Sequence, residues 1–303
     1  MEQLFIDLDK AEVVAMDRSH LHIISEDGDK IIPVRNFIKE IVGGEVVTQG
    51  TDGKIRVFGG EIDPGLRNAL FRGKCLGDSL TAEQAAAIKT GMFRDMFVGD
   101  YWTIGGVNYR IAHLDYWLRC GDTECTKHHA VIVPDTCLYN AQMHKTESGQ
   151  YEAGAANTTE GGYIGTDMYK TGLDQAKAMI NEAFGAEHIL SHRELLVNAV
   201  TNGRPSNHAW YDSTVELMNE PMVYGSYIFT PACDGTTISY RYTIDKSQLA
   251  LFALRPDLIG NRAYWWLRDV VSGAHFALVY WDGLAYCIHA SSPLGVRPAF
   301  GIC

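Results

Sequence analysis

Four residues of the types that bind metals lie close together in this 303-residue chain: Cys120, Cys125, His128 and His129. Thiolate and imidazole are the ligands that zinc prefers, and four of them complete a tetrahedral site. The spacing is not that of a zinc finger, and no second ligand pair follows. His128 and His129 are adjacent in a predicted strand, so their side chains point to opposite faces. We therefore predict a surface loop followed by a strand, without a metal site.

Calcium is the second metal to consider, because it takes about six to eight oxygen ligands from clustered carboxylates, amides and carbonyls. Asp269 and Asp282, near the C-terminus, could each contribute a carboxylate. No stretch of the sequence gathers enough such side chains to complete a cage. We expect no calcium in a binding site, and no other metal or cofactor.

Residues 191–194, with the sequence SHRE, contain a hydroxyl nucleophile and a base. A Ser followed three residues later by Glu is also a helix capping box, which we favour here. The catalytic motifs GxSxG and HExxH and the phosphate-binding glycine loop are all absent from the sequence. The seven cysteines are spread unevenly, and lone cysteines are usually small buried hydrophobic residues. The sequence therefore favours a protein that is not an enzyme.

The C-terminal stretch 264–303 is dense in aromatic residues and nearly free of charge in its middle. Asp282-Gly283 stands between two strand-like runs, and this dipeptide favours a two-residue hairpin turn in which both positions adopt positive φ. Such a turn sets the register of the whole hairpin. The predicted cross-strand pairs are Trp281 with Leu284, Val279 with Tyr286, and Ala277 with Ile288.

Neither face of this predicted hairpin is polar, whereas a surface hairpin normally alternates apolar and polar side chains. Either both faces are buried in the core, or one face is an exposed aromatic patch of the kind that marks binding sites. Tyr and Trp offer large, rigid contact areas with a polar group, as in antibody loops. Because residues 273–294 mix aromatic and polar types, we favour a binding surface. The predicted ligand-binding residues are Tyr280, Trp281, Asp282, Leu284, Tyr286, Ile288, His289, Ser292 and Leu294.

The segments on either side of the hairpin, WWLRD at 265–269 and GVRPAFGI at 295–302, resemble the C-terminus of a known family. It comprises the C-type-lectin-fold variable (target) proteins of phage and prophage diversity-generating retroelements, of the gut Firmicutes phage type. The resemblance covers roughly residues 70–303. Further segments that carry it are GDYWTIGGVNYRIAHLDYW at 99–117, VIVPD at 131–135, the run at 173–184 and DSTVELMNE at 212–220.

The resemblance implies a C-type lectin fold, in which a twisted antiparallel sheet, two main helices and long loops carry a diversified segment at about 273–294. In this family a retroelement rewrites adenines, chiefly in asparagine codons. Those codons can give every predicted site residue except Trp281. The family further implies a phage receptor-binding, adhesin-like protein on the virion tail or particle surface, assembled in the bacterial host cytoplasm. Its partners would be a bacterial surface protein or glycan and other phage structural proteins.

Two alternatives remain open from the sequence. A structural virion protein of the tail, collar or head decoration could use the same patch as a subunit interface, and homo-oligomerisation stays open with it. The formylglycine-generating oxidases share the lectin-type fold and depend on a pair of active-site cysteines. Cys287 and Cys303 lie in the C-terminal segment, but their surroundings do not match the motif of those enzymes.

The elements that must position the patch begin after a small β-rich N-terminal unit at 1–70, which could anchor the chain to a particle. In this unit, Asp27-Gly28 and Asp52-Gly53 predict the tips of two hairpins, and residues 34–42 predict a short helix. Residues 71–303 form the predicted ligand-binding domain. We thus expect an α+β arrangement with strands at both ends of this domain and helices in its centre.

Local signals place the elements of the main domain. Capping boxes at Thr81, Ser191 and Ser213 predict three helix starts. A glycine pair predicts a hairpin turn, and the apolar run AVIVP predicts a strand. A fourth helix ends at a glycine, and a polar stretch without periodicity predicts a loop. The predicted helix ends are Gly91, Gly185, Gly203 and Pro221; the hairpin turn is Gly105-Gly106, the strand 130–134, the fourth helix 173–184 and the loop 146–162.

Charge and hydropathy exclude several classes of function. The chain has 37 acidic and 26 basic residues, for a net charge of −11. This disfavours sequence-independent nucleic-acid binding and electrostatic docking to anionic membranes, since both need basic surfaces. No apolar run approaches the ~20 residues of a membrane span, and the acidic start MEQLFIDLDK is not a signal peptide. We expect no nucleic-acid partner, no membrane insertion and a cytosolic start.

Overall fold

The computed structural model describes residues 67–229 and 247–303 in full, and five strands within residues 12–57. The chain divides into two compact units, Met1–Ile62 and Asp63–Cys303. In the first unit, the strands on either side of each predicted Asp-Gly tip pair as an antiparallel hairpin, as predicted, and the tips themselves lie outside the described residues. The helix predicted at 34–42 lies outside the described residues. The strands are β1 (Glu12–Ala15), β2 (His20–Ile24) and β3 (Lys30–Pro33) in one antiparallel sheet, and β4 (Val47–Gln49) with β5 (Ile55–Val57) in another.

A six-stranded sheet forms one layer of the second unit. It is antiparallel except for one parallel pair at its edge, β6 with β7. The hairpin predicted at Gly105-Gly106 and the strand predicted at 130–134 are both confirmed in this sheet. In spatial order, its strands are β13 (Val215–Leu217), β18 (Pro298–Ile302), β9 (Ala130–Pro134), β8 (Val107–Leu114), β7 (Tyr101–Ile104) and β6 (Cys75–Gly77).

A five-stranded sheet carries the C-terminal hairpin. It is mainly antiparallel, as predicted, but contains one parallel pair, Trp265–Val270 with Leu294–Val296, just as the six-stranded sheet does at its edge. The last strand of this sheet, β16, pairs only with β15 among the described strands and therefore forms an edge. In spatial order, the strands are β10 (Tyr139–Ala141), β17 (Leu294–Val296), β14 (Trp265–Val270), β15 (His275–Val279) and β16 (Ala285–His289).

The centre of the domain is a long hairpin, not the predicted helices. β11 (His192–Thr201) pairs with β12 (Arg204–Ser213) in an antiparallel ribbon. Its turn is Asn202-Gly203, where both residues adopt positive φ, 52° and 74°. This is the strongest short-range hairpin signal, because a type I′ turn matches the twist of the flanking strands. The prediction that a helix ends near Gly203 missed this signal.

The capping-box predictions succeed once and fail twice. Thr81 accepts a hydrogen bond from the Gln84 amide, and Gln84 reciprocates, so α1 (Ala82–Lys89) is confirmed. Ser191 and Ser213 instead precede strands. The spacing misled because a Glu three residues after a Ser also occurs where a buried strand carries a carboxylate. Pro221 lies in the first turn of α3 (Glu220–Tyr224), so it starts a helix where the sequence predicted an end.

The remaining helices are few and short. The helix predicted at 173–184 is confirmed as α2 (Asp174–Phe184), and it ends at Gly185 with φ 83°. α4 (Ala250–Leu254) packs near α3. The domain is thus a mixed α+β structure made mostly of sheet. The short helical turns are a π-helical turn, Met168–Gly172, and the 3₁₀ turns Ala186–His188 and Pro256–Leu258.

The two sheets pack face to face, and the five-stranded sheet is covered on both sides. Val131 of β9 lies in one buried cluster with Trp265 of β14 and Val279 of β15. Trp266 and Leu278, on the opposite face of the same strands, belong to a second buried cluster. Burial on both faces explains why β14 and β15 do not alternate apolar and polar residues. The choice between core and surface is therefore made strand by strand. β16, at one edge of the sheet, is the hairpin strand with an exposed aromatic side chain, that of Tyr286.

The turn of the central hairpin gives a direct stability test. Gly203→Ala should lower the free energy of unfolding by about 1–2 kcal/mol, because an L-residue is strained at positive φ. The added Cβ would also lie 2.9 Å from the backbone nitrogen of Gly273. Asn202→Gly, at the neighbouring positive-φ position, should change stability far less. Urea unfolding of the two variants measures this, and equal stability of both would contradict the turn geometry.

Candidate functional site

The predicted C-terminal hairpin forms, but with a register shifted by one residue. Val279 pairs with Ala285, whereas the sequence predicted that it pairs with Tyr286. The prediction assumed positive φ at both turn positions, but only Gly283 adopts it, with φ 97°. The Gly283 amide donates to the Tyr280 carbonyl at 2.9 Å. This turn is one residue longer than the predicted one, and that residue accounts for the shift.

The new register changes which side chains share a face. In the prediction, Tyr286 shared a face with Val279, but in the structure it lies opposite Leu278. The face assignments of β16 relative to β15 are therefore reversed, as a one-residue slip requires. One face carries Phe276, Leu278, Tyr280, Leu284, Tyr286 and Ile288, and the other carries His275, Ala277, Val279, Ala285, Cys287 and His289.

The predicted site residues differ widely in exposure. Trp281, Leu284 and Tyr286 are 48%, 65% and 49% exposed, and Asp282 at the tip is also exposed. Ser292, also predicted as a ligand-binding residue, is instead buried. Ser292 lies in the turn that closes the base of the hairpin, where its backbone amide donates a hydrogen bond to the His289 carbonyl. The partly buried site residues are Tyr280, Ile288, His289 and Leu294.

Exposed large hydrophobic side chains gather at this hairpin. Throughout residues 67–229 and 247–303, every such side chain lies on the hairpin or beside it in space or sequence. Phe229 contacts Tyr286 with ring centroids 6.1 Å apart, and Tyr264 contacts Tyr280 at 4.6 Å. We call this set the hairpin patch. Its members are Tyr151, Ile228, Phe229, Tyr264, Trp281, Leu284 and Tyr286.

Four members of the hairpin patch were missed by the sequence analysis. Tyr151 interrupts the polar loop 146–162, and a lone aromatic in such a loop was a usable signal. In the structure it contacts His289, with ring centroids 4.9 Å apart. Tyr264 directly precedes the WWLRD segment and was not among the predicted site residues. Ile228 and Phe229 have no signal in the sequence, because they reach the patch only through the tertiary fold.

The hairpin turn is held in place by the domain beneath it. The Arg262 amide donates to the Trp281 carbonyl at 3.1 Å, and the Tyr224 hydroxyl donates to the Gly283 carbonyl at 3.1 Å. Gly260 approaches so closely that a Cβ there would lie 2.8 Å from the carbonyl carbon of Asp282. The exposed side chains are therefore presented from a fixed backbone, and a partner would find the turn already ordered.

The base of the hairpin is fastened by the polar loop 146–162, which contains no helix or strand, as predicted. The Ser291 hydroxyl lies 2.7 Å from Oδ1 of Asn157 and 3.0 Å from the Glu152 carbonyl. Gln142, just before the loop, donates its side-chain amide to the Ser291 carbonyl. Both ends of the hairpin are thus fixed to the domain, at the turn and at the base.

Two histidines face each other across β15 and β16. His275 pairs with His289, and their ring centroids are 4.3 Å apart. Nδ1 of His275 lies 2.7 Å from the Ser272 hydroxyl. Burial and the neighbouring His289 lower the pKa of His275 below its ordinary value. His275 is therefore neutral at physiological pH, beside the hairpin patch.

A buried ion pair supports the sheet from β14. Arg268 donates to the Glu194 carboxylate of β11 and, at 3.1 Å, to the Leu217 carbonyl. His192 lies 3.0 Å from the other Glu194 oxygen. Burial alone would raise the pKa of Glu194, but Arg268 and His192 together bring it below its ordinary value. The pair therefore joins β14 to β11.

Arg297 is bound by carbonyl groups and an aromatic ring. Its guanidinium is buried and donates to the carbonyls of Pro134, at 2.8 Å, and Ile259, at 3.2 Å. It also lies over the ring of Trp265, 5.0 Å from the centroid. Burial lowers the pKa of Arg297 to about 10. Carbonyl oxygens and an aromatic face, in place of a carboxylate, satisfy this charge.

A second buried carboxylate, Glu216 of β13, has no cationic hydrogen-bond partner. The Ser213 hydroxyl lies 3.0 Å from one of its oxygens, and the Tyr163 hydroxyl lies 2.8 Å from the other. Burial, with the nearby charge of Glu194, raises the pKa of Glu216 to about 7. In the folded chain this carboxyl thus keeps its proton at pH values where the unfolded chain has lost it.

The raised pKa of Glu216 predicts a pH-dependent loss of stability. Its contribution is fully present below its ordinary pKa of 4.5 and is lost as pH rises towards 7, because only the folded state then holds the proton. The Glu216→Gln variant should escape this loss, gaining about 2–3 kcal/mol relative to the natural chain between pH 5 and pH 8. Urea unfolding of both proteins at the two pH values measures the difference. Parallel pH dependence of the two would contradict the assignment.

The histidines and the aspartate that were candidate metal ligands contact other protein groups. His129 is buried and His128 is more exposed, so the prediction that they point to opposite faces is confirmed. Nε2 of His129 accepts from the Trp117 amide at 3.0 Å, and Nδ1 of His128 lies 2.8 Å from the Asp115 carboxylate. Asp269 accepts from the Glu220 amide at 2.6 Å. Within the described residues, no three His, Cys, Asp or Glu side chains are placed to hold a metal ion.

Cys287 is the cysteine that the oxidase alternative needs. It is partly buried, and burial together with Glu220 raises the pKa of its thiol. A raised pKa lowers the fraction of reactive thiolate at neutral pH. Among the described cysteines none is disulfide-bonded. The surroundings of Cys287 therefore give no support to a catalytic cysteine at this position.

Comparison of the chain with protein-family models, with curated proteins and with solved structures gives no match. The longest helix in the described part of the chain, α2, has 11 residues, which is too short to cross a bilayer. Any function assigned to the chain therefore rests on its own residues, chiefly those of the hairpin patch.

Proposed function

We propose that this chain is a non-enzymatic receptor-binding protein of a phage or prophage, which presents the hairpin patch to a bacterial surface molecule. One observation carries the proposal: the exposed large hydrophobic side chains of the described residues gather around one edge hairpin. Contiguous exposed apolar surface is rare on soluble proteins and marks interaction sites. An exposed apolar surface lowers the solubility of a protein. Its presence on this chain therefore indicates a use in binding.

A fixed frame beneath the patch supports the same function. The strand next to β16 is buried on both faces, and the turn is hydrogen-bonded to the domain at two of its carbonyls. Two longer helices, α1 and α2, and two sheets are compatible with a C-type lectin frame, which we propose as the fold. Such a frame tolerates changes at exposed hairpin positions, because those side chains do not contribute to its core.

Binding would combine apolar side chains of the hairpin patch with polar side chains next to it. Trp281, Leu284 and Tyr286 supply contact area, and large aromatic side chains dominate binding energy at interfaces. Asp282 and His289 supply polar groups at the tip and base. Weak single contacts would suffice on a virion, because many copies bind together and their effects multiply.

A structural virion subunit remains the second candidate function. Residues 275–289 of the hairpin carry a single formal charge, at Asp282, and charged residues are also depleted at the centres of permanent interfaces. In that case the hairpin patch would be buried between subunits of an assembled particle. On a receptor-binding protein, the patch faces outward in the particle.

Binding of the labelled chain to intact bacteria tests the proposal. The probe is a panel of gut Firmicutes strains, and bound fluorescence is measured against chain concentration with unlabelled chain as competitor. We expect saturable, competed binding to a subset of strains. Absence of saturable binding to every strain of the panel, or equal binding to all of them without competition, would contradict the proposal.

A further inference from the structure

The outer edge of β16 carries a regular row of backbone groups. The Tyr280 amide donates to the Leu284 carbonyl at 2.7 Å, and the Ala290 amide donates to the Ala274 carbonyl at 3.0 Å. Residues of an antiparallel pair alternate between those bonded to the neighbouring strand and those turned away from it. With the observed register, Tyr286 and Ile288 bond to β15. The residues with outward-facing backbone groups are Ala285, Cys287 and His289.

These outward groups are unused within residues 67–229 and 247–303, with one exception. The His289 carbonyl accepts from the Ser292 amide at 3.0 Å. The other two carbonyls and all three amides have no hydrogen-bond partner among the described residues. They recur every second residue, roughly 7 Å apart, which is the spacing that another strand requires.

β16 lacks the features that normally protect a sheet edge. Natural edge strands carry lysine, proline, a bulge or inward-pointing charge, which prevent pairing with other chains. The sequence of β16 is AYCIH, with no formally charged residue and no proline. Its register with β15 is continuous, without a bulge. Within residues 67–229 and 247–303, no other strand pairs with this edge, and nothing in its sequence or register blocks pairing.

Side chains on both faces of β16 would contact an added strand. Leu284 and Tyr286 are exposed on one face. On the other face, His289 stacks near Tyr151, whose ring is half exposed. An extended polypeptide at this edge would gain backbone hydrogen bonds and two rows of apolar contacts. A glycan has no repeating backbone amides to match this row.

Charge separates a foreign strand from a second copy of this chain. The chain carries a net charge of −11, so association of two copies brings like charges together. Within the hairpin itself, residues 275–289, the single formally charged residue is Asp282 at the tip. Charge complementarity therefore favours an uncharged, extended segment with a basic residue opposite Asp282.

We propose that the partner of the hairpin patch is a polypeptide, which adds an extended, apolar segment to β16 as a further strand of the sheet. Backbone hydrogen bonds then give affinity, and the pockets beside alternate side chains give specificity. This inference rests on the proposed function and deepens it, since it selects protein over glycan as the class of ligand.

A peptide library and hydrogen exchange test this inference on the intact chain. The probe is a random library of linear peptides of about twelve residues, selected on the immobilised chain. We expect enriched peptides rich in β-branched and aromatic residues, with a basic residue near one end. In the complex, the amides of Ala285, Cys287 and His289 should gain protection from exchange. Those of Tyr286 and Ile288 should already be protected in the free chain.

A matched pair of variants isolates the backbone contribution. Cys287→Pro removes one outward amide without touching the bonds to β15, and Cys287→Ala keeps that amide. Peptide affinity should fall at least ~10-fold for the proline variant, the effect of about one lost hydrogen bond, and less than ~3-fold for the alanine variant. Ala285→Pro with Ala285→Ser repeats the comparison one outward position away. Should neither proline variant fold, the exchange pattern of the unaltered chain decides.

Four results would overturn the inference. The first is equal binding of the selected peptides to the proline and alanine variants, and the second is outward amides that stay unprotected in the complex. Sedimentation of the free chain might show a dimer that Cys287→Pro abolishes, in which case a second copy occupies the edge. If Cys287→Pro binds bacterial cells normally while patch side-chain variants do not, this inference fails and the proposed function stands.

Discussion

Replacing Arg268 with methionine should lower the free energy of unfolding by about 3–5 kcal/mol, because it leaves the buried Glu194 carboxylate without its cation. Arg268 also donates to the Leu217 carbonyl, which would lose its partner. His192 alone remains beside Glu194, at 3.0 Å. Urea unfolding at pH 7 measures the loss. We expect the largest single-residue effect on stability at this pair.

The double variant Arg268→Met with Glu194→Leu is the control for this prediction. Removing both charges and filling their volume with apolar side chains should recover most of the lost stability, as for other buried ion pairs. A loss in the double variant equal to that of Arg268→Met alone would mean that packing of the Arg268 stem, and not the stranded charge, supports the sheet.

Changing Trp281, Leu284 and Tyr286 together to alanine should reduce binding to susceptible bacteria by at least ~100-fold. Each side chain is about half exposed or more, and truncation of buried interface anchors typically costs about 2 kcal/mol or more. Stability should change little, since none of the three contributes to the buried clusters. Cell binding and urea unfolding of the same preparation separate the two effects.

The matched control for the patch variant lies on α1. Glu83→Ala with Lys89→Ala changes two exposed helix positions and leaves the net charge unaltered. This variant should bind bacteria as the natural chain does. Equal binding by the patch variant and the α1 variant would remove the hairpin patch from consideration as the binding site.

Local signals in the sequence were enough to place elements whose geometry is set within a few residues. Thr81 and Gln84 form the predicted capping box, because both partners lie in the same first turn. Gly185 ends α2 through its positive φ. The polar loop 146–162 lacks any hydrophobic period and forms neither helix nor strand. In these cases no distant contact competes with the local preference.

In the central hairpin, capping-box spacings predicted helices where the structure has strands. Tertiary burial, and not the local spacing, determines the structure there. Ser213 and Glu216 match a capping box, yet Glu216 is a buried strand residue that is hydrogen-bonded to Ser213 and to Tyr163, a residue far away in the chain. Asn202-Gly203 did carry the correct information. A hairpin signal between two β-compatible runs should have outweighed a capping-box spacing.

The candidate site was predicted in place but not in detail. Trp281 and Tyr286 are exposed, as a displayed surface requires, whereas Ser292 is buried. The predicted register is off by one residue because it assumed positive φ at Asp282. A one-residue change in turn length moves every side chain of the strand to the opposite face. Phe229 joins the patch through a contact between residues distant in sequence, which no local pattern encodes.

Oxidative footprinting of the chain bound to susceptible bacteria tests the central claim most directly. Hydroxyl radicals modify exposed aromatic and sulfur side chains, and mass spectrometry locates the modified residues. The hairpin patch account predicts that Trp281 and Tyr286 are modified in the free chain and protected on cells. Cys75, exposed on the six-stranded sheet, should be modified equally in both. Unchanged modification of Trp281 and Tyr286 on cells, with protection elsewhere, would contradict the account.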